Sequence, residues 1–229
     1  MRAEALDHVA LWSTDREALG ELLVDACGMH EIERTDDFTL IGGDARRGKL
    51  TLFDAEGPRE RGALERVVVR VPDLGSARAR LAAAGVPTPS GAPDEPISVD
   101  APSGLPLLLV ASADDGVADL DHVVLRVSDP TSAAHELEAM GLERVGDDLG
   151  VADKRVVLHG GGKREGERPL LNHLALLVDD AGAVEAEVRA RGMDVDRVVD
   201  AENTRAVFVW GPDRVKLEYV EHKPGFSLV

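Results

Sequence analysis

Residues 171–178 read Leu-Asn-His-Leu-Ala-Leu-Leu-Val and are closed by Asp179 and Asp180. The run is apolar and β-permissive, with the length and punctuation of a buried strand. His173, near its start, is out of keeping with the rest of it. The same strand occurs as Leu-Asp-His-Val-Ala-Leu at 6–11 and Leu-Asp-His-Val-Val-Leu-Arg-Val at 120–127, and in weaker form as Leu-Glu-Arg-Val-Val-Val-Arg-Val at 64–71. Aligned on His8, Arg66, His122 and His173, the copies repeat at intervals of roughly 50–60 residues, so the chain is an array of four units.

Each unit continues in the same way. An acidic or proline-containing break follows the first strand. A helix-period segment comes next, at 16–27, 74–84, 132–140 and 181–191, ending at Gly28, Gly85, Gly141 and Gly192. Glycine just past a helix is a usual left-handed stop. Extended segments then lead to a last strand at 49–54, 105–110, 155–159 and 215–220, with a less regular strand before it such as 38–41 or 206–210. Period and punctuation give an α+β chain of four βαβββ modules. One such module leaves a sheet face uncovered, so modules must pair. The expected pairing is sequential: modules one and two form a domain over residues 1–113, and modules three and four a domain over 114–229. The acidic link at 112–119 joins the two, and the glycine-rich loop at 160–168 is a connector, because it precedes a strand rather than opening a helix.

Composition narrows the function. Net charge is −17, from 43 acidic and 26 basic residues, which argues against nucleic acid or an anionic membrane as partner. No apolar run reaches the ~20 residues of a membrane span, and no signal-peptide pattern opens the sequence, so the expected location is cytoplasmic. The single cysteine, Cys27, excludes an internal disulfide and lies in a helical pattern as a small core residue.

At the first strand the four units carry His8, Arg66, His122 and His173; at the last they carry Phe53, Leu108, His159 and Glu218. Under sequential pairing only the second half holds metal-competent side chains at every position. Alternation in Val-Lys-Leu-Glu-Tyr-Val puts Lys216, Glu218 and Val220 on one face of the strand. An unpaired buried carboxylate is costly, and a cation between two imidazoles removes the cost. Two histidines and one carboxylate form the facial triad of non-haem iron chemistry. Phe208 and Trp210 share a strand face and line the expected pocket, with Asn203 at its edge and His222 at its rim. His30 and His135 read as solvated. His8 reads as a relic or a hydrogen-bonded core group. The tail residues Phe226, Leu228 and Val229 are expected to pack on a neighbouring unit or, in a homo-oligomer, on another subunit.

These residues resemble the vicinal oxygen chelate superfamily, which includes glyoxalase I, bleomycin resistance proteins, fosfomycin resistance enzymes and extradiol ring-cleaving dioxygenases. The resemblance implies cup-shaped mixed sheets with helices outside and a divalent metal in the cup. Two-domain extradiol dioxygenases look most similar. Their pattern implies His122, His173 and Glu218 as metal ligands and His159 as the acid–base residue. It further implies Fe(II) or Mn(II) as the ion, with Zn(II), Ni(II) or Co(II) as alternatives, and a small substrate with adjacent oxygens that reacts with O2. Phe208 stands where that family has a tyrosine, and Gly211-Pro212-Asp213-Arg214 replaces its acidic-Pro-x-Gly turn. The alternatives are a metal-dependent isomerase, lyase or thiol transferase of the glyoxalase kind, and a non-catalytic binding protein of the bleomycin-resistance kind.

Overall fold

The computed structural model describes residues 1–43, 48–112, 116–161 and 168–226. Parts of the acidic link and of the glycine-rich loop, and the tail residues Leu228 and Val229, lie outside them. Unit one comprises β1 (Ala5–Ser13), α1 (Arg16–Asp25), β2 (His30–Arg34), β3 (Phe38–Gly42) and β4 (Lys49–Asp54). Unit two has β5 (Leu64–Val71), α2 (Leu74–Ala83), β6 (Ile97–Ala101) and β7 (Leu105–Ala111). Unit three has β8 (Asp119–Arg126), α3 (Pro130–Ala139), β9 (Glu143–Val145), β10 (Asp148–Val151) and β11 (Lys154–His159). Unit four has β12 (Leu171–Leu177), α4 (Ala181–Ala190), β13 (Val195–Asp200), β14 (Thr204–Trp210) and β15 (Lys216–His222).

The repeat is physical as well as textual. Every helix opens on an aspartate, Asp15, Asp73, Asp129 or Asp180, whose carboxylate accepts a backbone N–H of the first turn. Each such cap contributes about 1 kcal/mol. Every helix is followed by its glycine at positive φ: Gly28 at 80°, Gly85 at 72°, Gly141 at 105° and Gly192 at 67°. Unit two departs from the βαβββ expectation and forms one strand fewer after its helix. Its segment 86–96 carries Pro87, Pro89, Pro93 and Pro96, and each proline removes a ladder donor.

The strands form two mixed sheets. The eight-stranded sheet runs β13-β14-β15-β12-β1-β4-β3-β2, and the seven-stranded sheet runs β6-β7-β5-β8-β11-β10-β9. At their centres β1 pairs antiparallel with β12, and β5 with β8. Unit one therefore pairs with unit four and unit two with unit three, which corrects the sequential pairing. The connection from Ala111 to Asp119 need only pass β5 at one end of its sheet, a span of ~10 Å at two strand spacings. Helices α1 and α4 cover the eight-stranded sheet, and α2 and α3 the seven-stranded one. Val9, Leu11, Leu174, Leu176, Leu217 and Tyr219 of the first sheet and Val67, Val69, Val123 and Leu125 of the second belong to one continuous buried cluster. Each such aliphatic side chain contributes about 1.5–3 kcal/mol by leaving water. No helix of the described residues is long and apolar enough to cross a membrane.

Candidate metal centre

All four first strands carry a β-bulge at the residue before the aligned position. The register skips Asp7 on β1 and Asn172 on β12, and Glu65 on β5 and Asp121 on β8. A bulge sets two residues against one and re-aims the extra side chain. Asp7 thereby shares the cavity face of β1 with His8. His8 Nδ1 lies 2.7 Å from Asp7 Oδ2. On β12 the equivalent pair is His173 Nδ1 and Asn172 Oδ1, at 3.1 Å. Both imidazoles are thus held through Nδ1 by the preceding residue, which turns Nε2 of each towards the other.

The two Nε2 atoms lie 3.1 Å apart. Glu218 Oε2 is 2.8 Å from that of His173 and 3.3 Å from that of His8. His8, His173 and Glu218 are the one group of three or more potential ligand side chains that converges among the described residues. A face of an octahedron with bonds of ~2.1 Å has edges of ~3.0 Å, so the donor triangle fits a divalent metal. Glu218 and His173 are almost fully buried, and rigid strands carry all three residues.

Charge in the cluster is balanced around a proton. Burial opposes charge on His8, but hydrogen bonds to Asp7 and Glu218 outweigh it and raise the imidazole to about 9. Burial dominates at His173, which is lowered. Burial also pushes Glu218 up, yet the imidazoles of His173 and His8 bring it down to about 2. Asp7 is held far below the usual carboxylate range: hydrogen bonds from His222 and His8 and the charge of Lys49 overcome its burial. Lys49 Nζ lies 2.8 Å from Asp7 Oδ1, and His222 Nε2 lies 3.3 Å from the same oxygen.

These groups line a cavity of about 400 Å³ on the concave face of the eight-stranded sheet. Alternation along the strands puts Ala175, Ala206, Phe208 and Val220 on this face, and Phe38 and Phe53 complete an apolar wall. Phe208 meets His173 edge-on, with centroids 5.2 Å apart. His222 stacks on Phe226, with centroids 3.7 Å apart, so the tail residue packs at this cavity.

Of the expected residues, His173, Glu218, Phe208, Asn203 and His222 come together here. Three do not. His122 is on β8 in the other sheet, bonded through Nδ1 to Asp121. His8 holds the position expected of it, because the same aligned set becomes His8, His173 and Glu218 once unit one pairs with unit four. The complementary set in the other sheet, Arg66, His122 and Leu108, is not a ligand set. His159 is exposed on β11, with Nδ1 3.1 Å from Glu65 Oε1. Trp210 lies outside the cavity lining, under the cations of Arg214 and Lys216 at 3.9 and 4.2 Å. Sequence reasoning missed Asp7, Asn172 and Lys49. The polar residue before each histidine was the available signal for the first two.

Neither a protein-family model nor a curated protein matches the sequence. Solved structures do resemble it. Glyoxalase I from Zea mays is 18% identical with a TM-score of 0.71, over 96% of this chain and 92% of that one. A candidate dioxygenase from Bacillus subtilis is 18% identical with a TM-score of 0.72, over 98% and 87%. The cppA protein from Streptococcus pneumoniae is 12% identical with a TM-score of 0.67, over 96% and 98%. The likeness is one of fold: these structures and this chain share the arrangement of paired modules in mixed sheets with helices outside.

Proposed function

We propose that the protein is a metal-dependent enzyme whose single divalent ion is held by His8, His173 and Glu218, and that its reaction is of the extradiol dioxygenase type. The observation that carries this reading is the donor triangle of 2.8, 3.1 and 3.3 Å opening onto a cavity. Two imidazoles and one carboxylate are the donor set of non-haem Fe(II) oxygen chemistry, with Fe(II) or Mn(II) as the ion. When bound, such an ion supplies a Lewis acid with positions for two adjacent substrate oxygens and for O2.

The chain's own residues do the rest. Asp7 and Asn172 hold the imidazoles in the tautomer that presents a bare Nε2. Phe38, Phe53 and Phe208 exclude water from the wall on which a substrate rests. His222, with Nε2 against Asp7, is the cavity imidazole that does not belong to the triangle, and it takes the proton-holding role expected of His159. The test is oxygen uptake by iron-loaded protein with a panel of catechols. Confirmed iron occupancy without uptake would count against dioxygenase chemistry.

A second reading, an oxygen-independent isomerase or thiol transferase, is favoured by two observations. Phe208 offers no hydroxyl to a substrate oxygen, and the ligands bridge units one and four rather than three and four. Product formation without oxygen consumption, with zinc or nickel bound, would support it.

A further inference from the structure

Cations around the cavity are paired with carboxylates, with one exception. Lys49 meets Asp7 at 2.8 Å, Lys216 meets Asp196 at 2.7 Å, Lys223 meets Asp200 at 2.5 Å and Arg205 meets Glu185 at 2.9 Å. Arg197 lines the cavity and has no carboxylate within ion-pair distance among the described residues. Other described arginines, such as Arg66 and Arg78, also lack an ion pair, but Arg197 is the one that lines this cavity, in a chain of net charge −17. Its guanidinium lies instead over the Phe208 ring, 4.4 Å from the centroid. That stacking orients the planar fork and leaves its N–H edge available.

The register fixes where this cation stands. Arg197 pairs with Phe208, and Phe208 with Glu218, in one row across β13, β14 and β15. The Arg197 and Glu218 backbones are therefore two strand spacings apart, roughly 10 Å, with one aromatic ring between the guanidinium and His173. Glu33, on β2 at the opposite edge of the sheet, and Glu202, after β13, also line the cavity. Their carboxylates disfavour an anion beside them.

Taking the metal-site reading above as its basis, we propose that Arg197 is the anion-binding residue of the cavity and that the substrate is a small acid. Its oxygen-chelating head faces His8, His173 and Glu218. A short apolar spacer lies along Phe208, and a carboxylate meets the Arg197 fork in the bidentate geometry that suits it.

The test uses manganese-loaded full-length protein and hydroxamates, which chelate through two adjacent oxygens. A series of ω-carboxy hydroxamates with two to five methylenes is titrated against isosteres carrying isopropyl in place of carboxylate. At least one acid should bind about tenfold more tightly than its isostere, at a cost of about 1.4 kcal/mol if lost. Arg197→Gln should abolish that preference and leave manganese affinity unchanged. Arg144→Gln, in the other sheet, should keep it. A preference absent from the wild type, or undiminished in Arg197→Gln, overturns the proposal. The anion site is also read in metal-free protein, where hexanoate should bind the wild type and not Arg197→Gln. If manganese fails to bind, the metal reading falls, and the hexanoate comparison decides on Arg197 alone.

Discussion

His8 Nδ1 is bonded at 2.7 Å to the carboxylate of Asp7, its own neighbour in sequence, because a bulge turns both side chains to one face of β1. Asp7 thereby also reaches the buried Lys49 ammonium and His222. Asp7→Ala should weaken metal binding by about 10–100-fold, the usual effect of removing an outer-shell carboxylate. It should also destabilise the metal-free fold by about 3–5 kcal/mol, since it breaks a buried ion pair from one side. Metal titration and denaturant unfolding read the two effects separately.

The pairing of units one and four makes His8, rather than His122, a ligand. His8→Ala should lower Mn(II) or Zn(II) affinity by at least ~100-fold, more than the loss of an outer-shell group. His122→Ala should change it less than threefold. Equal losses in both variants would refute the assignment.

Protons compete with the metal at this site. His8 in the metal-free protein sits at about 9, so binding at neutral pH must displace a proton. Apparent affinity should fall up to about tenfold for each pH unit below 9. For the metal-free fold the sign follows from the raised value. His8 stabilises fully below its ordinary 6.5, and this contribution is lost as pH rises through about 9. Glu218 works in the opposite direction: its contribution is present above 4.5 and lost as pH falls towards 2. Thermal melts of metal-free wild type and His8→Gln between pH 6 and 10 should converge at the alkaline end.

Burial pushes the Cys27 thiol up to about 12. A disulfide reagent at pH 8 should leave the native protein unlabelled for as long as it stays folded. One equivalent should react on denaturation. Fast labelling of the folded state would contradict the packing behind α1.

Tyr219 donates its buried hydroxyl to the carbonyl of Met140 at 2.7 Å, tying β15 to the end of α3. Tyr219→Phe should cost about 1–2 kcal/mol in urea unfolding, because it leaves a buried acceptor without that donor.

The elements were readable because their signals are local. Aspartate caps, glycine stops and two-residue alternation mark each strand and helix, and Leu217 and Tyr219 fall on the core face as the alternation requires. Partner choice is not local. The first strands of all four units present the same apolar edge and the same bulge, so nothing in residues 6–11 says that they meet 171–177 rather than 64–71. That gap alone turned His8 into a relic and His122 into a ligand. Arg197 was silent for a similar reason: an arginine on an exposed strand is ordinary until the ring beneath it and the missing carboxylate are visible.

His8 and His173 are 165 positions apart, and the sheet that unites them encloses the two middle units in sequence. During synthesis at ~5–20 residues per second, β1 emerges many seconds before its partner exists. The seven-stranded sheet can close first, while His8 and the apolar edge of β1 wait for β12 and then for Glu218. The site cannot close before β12 and β15 have emerged, and until then β1 is an open edge strand in need of protection from wrong partners.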